Sequence, residues 1–166
     1  MKKVEAFTDG SSLGNPGPGG YGAILRFTDS TGKVHEKELS EGFSKTTNGR
    51  MEIMGVIAVL EALKEPCDVT ITSDAQYVVN AFEKHWIDSW KKNGWKKSNK
   101  KLVLNVDLWK KVDKLRLIHK VKFNWIKGHA GYEMNERCDV LAKKAASKLN
   151  LPKDTGYEKQ SQLSFE

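Results

Sequence analysis

Cysteine is scarce in this chain. Cys67 and Cys138 have neither the spacing of a zinc-binding pair nor further partners for a disulfide framework. Both are expected as buried free thiols. No apolar stretch approaches the length needed to span a bilayer, and Met1-Lys2-Lys3 leads directly into strand-like sequence without the apolar core of a signal peptide. The expectation is a soluble, intracellular protein. No segment repeats at a fixed period, which excludes solenoid and propeller arrays. Acid is absent from residues 91–101, where lysines 91, 92, 96, 97, 100 and 101 supply six of the net charge of +7. The basicity is therefore one patch, and a local field of that sign suits a polyanion, either nucleic acid or an anionic membrane surface.

A length of 166 residues predicts one domain with a substantial core. Strand patterns run over residues 3–9, 21–28 and 33–43, the first two separated by the turn-forming stretch 14–20, and together they read as an antiparallel meander. Residues 50–64 carry Met51, Met54, Ile57, Leu60 and Leu63 at helical spacing before Pro66 stops the run. A short β-branched strand over 69–73 precedes a helix over 75–84, a tryptophan-rich basic segment and a helix over 106–118. A last strand over 120–126 leads through Gly128-His129-Ala130-Gly131 into a helix over 135–149. The order βββαβααβα predicts an α/β fold: a five-stranded mixed sheet, three antiparallel strands then two parallel, flanked by helices. The domain is expected to occupy residues 1–149, with the polar segment 150–166, which contains Pro152 and Gly156, as a disordered tail.

Four acids stand at the edges of apolar segments: Asp9, Glu52, Asp74 and Asp139. Strand ends and helix starts are where α/β folds build sites, and four clustered carboxylates would repel one another unless a hard cation sat among them. Oxygen ligands without neighbouring histidine or thiolate select magnesium or manganese over zinc or copper. Each acid also has a plain structural reading: Asp9 as a turn former before Gly10, Glu52 as a solvated helix residue, Asp74 as a helix cap, Asp139 as a helix charge favoured by the dipole. The glycine-rich stretch 14–20 lacks the pattern GxxxxGK[ST] and precedes a strand, so it is not a nucleotide phosphate loop.

The motifs Thr8-Asp9-Gly10-Ser11, Gly14-Asn15-Pro16-Gly17-Pro18-Gly19-Gly20, Thr46-Thr47-Asn48, Arg50-Met51-Glu52, Ser73-Asp74, Trp125-Ile126-Lys127-Gly128-His129-Ala130-Gly131 and Asn135-Glu136-Arg137-Cys138-Asp139 resemble, in order, those of ribonuclease H of the bacterial type I class. The resemblance covers about residues 3–146. It implies a ribonuclease H-like fold and a metal-dependent endonuclease that hydrolyses the RNA strand of RNA–DNA hybrids, leaving 3′-hydroxyl and 5′-phosphate ends. It also implies two Mg²⁺ ions, with Mn²⁺ as a substitute, held by Asp9, Glu52, Asp74 and Asp139. His129 matches a histidine that carries a proton or helps product leave, and its ordinary pKa suits that task. A cytoplasmic monomer, with no membrane and no obligatory protein partner, completes the expectation.

RNA is told from DNA by its 2′-hydroxyl, and short amides suit its recognition. Asn15, Asn48 and Gln76 match family positions near those hydroxyls, while Thr47 and Asn105 match residues that seat a DNA phosphate. Bacterial relatives commonly carry a second amide after the position of Asn48, where this chain has Gly49. In the basic segment, Trp86 is the tryptophan expected to touch substrate, whereas Trp90 and Trp95 are expected as the small core of a basic protrusion. The stretch between Asp74 and Trp86 is one residue longer than in many relatives. Asn105 equally reads as the N-cap of the helix that follows. Two other classes remain open on the sequence alone: a silent hybrid-binding module, and a DNA strand-transfer or resolving nuclease sharing the sheet and acidic cluster.

Overall fold

The computed structural model describes residues 1–128 and 132–163. Strands β1 (Lys2–Ser12), β2 (Gly17–Thr28) and β3 (Val34–Thr46) form the antiparallel meander. After helix α1 (Asn48–Ala62), the chain returns as β4 (Cys67–Ser73), which lies parallel to β1 on its free edge. Helices α2 (Gln76–Glu83), α3 (Trp86–Lys92) and α4 (Val106–Arg116) follow, and β5 (Lys120–Trp125) then adds in parallel to β4. The sheet order is β3-β2-β1-β4-β5. The expected mixed sheet is the one observed. Helix α5 (Glu133–Ala146) packs against the meander, and α6 (Thr155–Leu163) ends the described chain. Among the described residues, no helix is long and apolar enough to cross a membrane.

Helix α1 begins where the Thr47 hydroxyl accepts a hydrogen bond from the Arg50 amide, satisfying one of the donors a helix start leaves open. It is buried on more than one side, because the sheet takes one face and α4 another. Val56 and Leu60 join Val69 and Ile71 of β4, and Trp109 and Val112 of α4, in one core. On the other side, α5 approaches the sheet at main-chain distance. A β-carbon on Gly22 would collide with the Cys138 carbonyl oxygen, so only glycine admits the helix this close. Both cysteines are buried free thiols.

The basic segment opens with α3, and an isolated bridge between Lys96 and Leu102 closes the basic turn behind it. One expectation needs correction. Residues 150–166 were expected as a disordered tail, yet Asp154 is 3% exposed and α6 follows it. Its carboxylate accepts from the Tyr157 amide (3.1 Å), capping α6, and also from the Thr46 hydroxyl (2.7 Å) and the Arg50 guanidinium (2.8 Å). Ser44 donates its amide to the Pro152 carbonyl at 2.9 Å. A segment polar in composition is thus fixed by a few buried polar contacts rather than by apolar area.

Candidate active site

The last residues paired between β1 and β4 are Phe7 and Thr72, so Asp9 and Asp74 stand two positions beyond them on adjacent parallel strands. Parallel register alone places these carboxylates side by side. They lie where the order of the sheet reverses, the position at which open α/β sheets bind ligands. Ser73 turns the chain out of β4, its hydroxyl accepting from the Ala75 amide at 3.0 Å. Glu52 arrives from the second turn of α1, which sits tightly on β1: a β-carbon on Gly10 would stand 2.5 Å from the Glu52 nitrogen.

Ligand oxygens of Asp9, Glu52 and Asp74 all lie within 4.8 Å of one another. Asp9 is 1% and Glu52 9% exposed, whereas Asp74 is half-buried and open to the surface. Asp139, on α5, joins through a side-chain hydrogen bond with Asp9, while Lys143 one turn later lies 3.0 Å from its carboxylate. Burial pushes the Asp9 pKa up to about 8, reinforced by the charges of Asp74 and Asp139. Burial likewise raises Glu52 well above the usual carboxylate range, with Asp9 and Asp74 adding to it. A cluster built this way is unfavourable as bare anions.

The donor set fits a hard divalent cation. It consists of oxygens alone, it is partly sealed from water, and Glu52 Oε2 is buried with no hydrogen-bond partner among the described residues. Neighbouring side chains support the frame. The Asn135 amide donates to the Thr72 carbonyl at 3.3 Å, tying α5 to β4 beside Asp74, and the Trp125 indole donates to the Asp74 carbonyl at 3.3 Å.

Two of the amides expected to read the substrate open the helices next to the cluster residues: Asn48 begins α1, which carries Glu52, and Gln76 begins α2, just after Asp74. Asn15 and Asn48 are exposed and joined, the Asn15 side-chain oxygen accepting from the Asn48 amide at 3.0 Å. Gln76 is exposed at the first residue of α2, two positions beyond Asp74. Thr47 caps α1. Asn105 occupies the N-cap position of α4 with a left-handed backbone (φ 62°), but its side chain does not cap that helix. It turns instead toward Arg50 and α6. Trp86 is half-buried like Trp90 and Trp95, and its ring packs 5.3 Å from Tyr77 and 6.3 Å from Trp90. Its ring thus belongs to the same aromatic group as Trp90. Lys91 lies 3.0 Å from Asp113, so one of the six patch lysines has an internal partner. His129 lies outside the described residues.

Sequence reasoning missed the charged network behind α1. Arg50 reaches both Asp154 and Asp107, at 2.8 Å each. No local pattern in the sequence links Arg50 to an aspartate 104 residues downstream.

Comparison with known proteins agrees with this geometry. The family described as RNase H matches residues 1–147. A ribonuclease H of Nitratidesulfovibrio vulgaris is 57% identical over 157 residues, covering 95% of this chain and 97% of the relative. One of Proteus mirabilis is 57% identical over 161 residues, covering 97% of each. Among solved structures, LC9-RNase H1, described as a type 1 RNase H with the type 2 active-site motif, superposes with a TM-score of 0.81 at 29% identity, over 97% of this chain and 81% of that one. LC11-RNase H1 in complex with RNA/DNA hybrid shares the fold with a TM-score of 0.62 at 24% identity, over 86% of this chain and 96% of that one. Similarity that spans nearly the whole chain decides against a silent binding module and a strand-transfer nuclease: the chain belongs to the ribonuclease H family, and is an endoribonuclease of it.

Proposed function

We propose that this ribonuclease H cleaves the RNA strand of RNA–DNA hybrids with two Mg²⁺ ions, Mn²⁺ substituting, and leaves 3′-hydroxyl and 5′-phosphate ends. The observation that carries the reading is the convergence of Asp9, Glu52 and Asp74 within 4.8 Å, with a buried oxygen on Glu52 that has no hydrogen-bond partner among the described residues. Asp139 completes the ligand set from α5. Bound there, divalent cations supply an activated water and neutralise charge at the leaving oxygen. The water would give up one proton as its oxygen bonds to phosphorus, the P–O3′ bond would break, and the departing O3′ would take up one proton in exchange.

The chain's own groups prepare that event. Burial and mutual repulsion raise the pKa values of Asp9 and Glu52, and a cation held there would favour their ionised forms. Asn15, Asn48 and Gln76 present exposed amides beside the cluster, suited to a 2′-hydroxyl that both donates and accepts. Thr47 and Asn105 seat a phosphate of the DNA strand, and Trp86 with the lysine patch steadies the duplex beyond it. His129 transfers a proton or aids product release. That LC11-RNase H1 is known in complex with RNA/DNA hybrid supports the substrate assignment. The enzyme acts as a cytoplasmic monomer, which light scattering at micromolar concentration tests.

The deciding experiment offers end-labelled hybrid, duplex RNA and duplex DNA to the purified protein, with Mg²⁺ or with chelator, and identifies the ends formed. Cleavage confined to the RNA of the hybrid, dependent on Mg²⁺, is expected. His129→Ala should retain slow cleavage with little change in KM, whereas Asp74→Asn should show none. Undiminished cleavage by Asp74→Asn, or 2′,3′-cyclic phosphate ends, would remove the mechanism.

A further inference from the structure

From α6, Gln160 reaches Asn105, the residue read above as a DNA-phosphate contact. Its Oε1 accepts from the Asn105 backbone amide at 2.7 Å, and its Nε2 donates to Asn105 Oδ1 at 3.2 Å. Arg50 Nη1 lies 3.4 Å from the same oxygen. These contacts leave no freedom in how either amide is oriented. A backbone N–H can only donate, so Gln160 must turn its oxygen toward it and its nitrogen toward Asn105. A guanidinium also can only donate, so the atom of Asn105 facing Arg50 and Gln160 must be its oxygen. The Asn105 nitrogen is thereby directed the other way, toward the first turn of α1. A β-carbon on Gly49 would stand 3.8 Å from that nitrogen, and nothing else would meet it within 4 Å.

Asn105 also needs this support for its backbone. It holds a left-handed conformation (φ 62°, ψ 31°), and its side chain makes no capping bond to α4. Without Gln160, its amide hydrogen would lose a short side-chain acceptor, and among the described residues its side-chain oxygen would keep the longer Arg50 contact.

We infer that Gln160 is a positioning residue for substrate binding: it fixes the Asn105 amide with its nitrogen facing the start of α1, so that α6 orients a contact to the DNA-strand phosphate. This rests on the reading of Asn105 as a phosphate contact. Gln160 itself touches no substrate. Its effect should appear in affinity, because a contact made equally in the ground and transition states changes KM and leaves turnover at saturation alone.

Two variants separate the roles of its atoms. Gln160→Ala removes both hydrogen bonds. Gln160→Glu keeps an acceptor for the Asn105 amide but faces Asn105 Oδ1 with a second oxygen, which favours reversal of that side chain. Each should raise KM for hybrid about three- to tenfold, the range of one well-formed hydrogen bond, with kcat within about twofold. Both are to be measured alone and combined with Asn105→Ala, with urea midpoints recorded for all. On the Asn105→Ala background, Gln160→Ala should raise KM no further. If Asn105→Ala raises KM while both Gln160 variants leave it unchanged, the positioning role is wrong and the phosphate contact stands. If Asn105→Ala leaves KM unchanged, the phosphate reading fails, and this inference with it. A KM rise from Gln160→Ala that persists undiminished without the Asn105 side chain also overturns the inference. Should Gln160→Ala melt below the assay temperature, Gln160→Glu, which retains the bond to the backbone amide, carries the same comparison.

Discussion

Arg50 Nε lies 2.8 Å from Asp154 Oδ2, and the two side chains are 1% and 2% exposed, so a full ion pair is sealed beneath the first turn of α1. Such a pair gains little over an apolar substitute, but breaking it from one side strands a buried charge. Asp154→Ala should therefore lower unfolding free energy by about 3–5 kcal/mol. Asp107→Ala, whose carboxylate is 43% exposed, should have a much smaller effect, because water can replace it. Urea titration of both variants tests the contrast. Equal losses would mean that Asp154 is not the buried anchor of α6.

Asp9 gives a pH dependence of opposite sign to that of an ordinary paired carboxylate. Its folded pKa is raised to about 8, so the folded state holds the proton more tightly than the unfolded state. Below an unfolded value near 4 no penalty exists; it grows as pH rises and is complete above about 8. In chelator, Asp9→Asn should match the parent in stability near pH 4 and exceed it by a few kcal/mol, in order of magnitude, near pH 8. Thermal melts across that range provide the measurement. A gap that is constant with pH would show that Asp9 is not titrating in the folded protein. Saturating Mg²⁺ should narrow the gap, because only the parent retains the full cation site.

The basic segment should separate affinity from chemistry. Replacing lysines 92, 96, 97, 100 and 101 with glutamine should raise KM and flatten the salt dependence of hybrid binding, with turnover at saturation largely kept. Lys91 differs, since its ammonium group is held 3.0 Å from Asp113. Lys91→Gln should change the salt slope less than the average of the other five. A collapse of turnover with an unchanged slope would mark the lysines as plain solvated surface.

Gly49 is the second residue of α1, and a β-carbon there meets only the Asn105 nitrogen, at 3.8 Å. Gly49→Ala should stabilise the fold by about 0.5 kcal/mol, through a less flexible unfolded chain and better helix propensity. Denaturant midpoints decide it; a lower midpoint would reveal strain that the open space does not suggest.

Much of this was legible in the sequence, for local reasons. Asp9 and Asp74 close β-branched or alternating runs, and parallel pairing of those runs forces their ends together. Glu52 was placed beside them by the resemblance of its Arg50-Met51-Glu52 motif, since helical spacing alone allowed a solvated residue on α1. The C-terminal segment was not legible, because what orders it is Arg50, 104 residues away from Asp154 and silent as a local pattern. Trp86 was singled out by composition, yet whether an indole meets solvent depends on Tyr77 and Trp90 beside it. Asn105 looked like a helix cap because of its position, while its side chain follows donors on Arg50 and Gln160 that no spacing rule connects to it.

Gly22 pairs directly with Asp9 across β1 and β2, and it is also the residue whose missing side chain admits the carbonyl of Cys138, the neighbour of Asp139. The separation of two carboxylates on different elements is thus set by an empty volume on a third. A methyl group there would add no charge and remove no ligand, yet it would push α5 outward and carry Asp139 with it. The carboxylate cluster accordingly has a mechanical spacer, and that spacer is defined by atoms the chain does not possess.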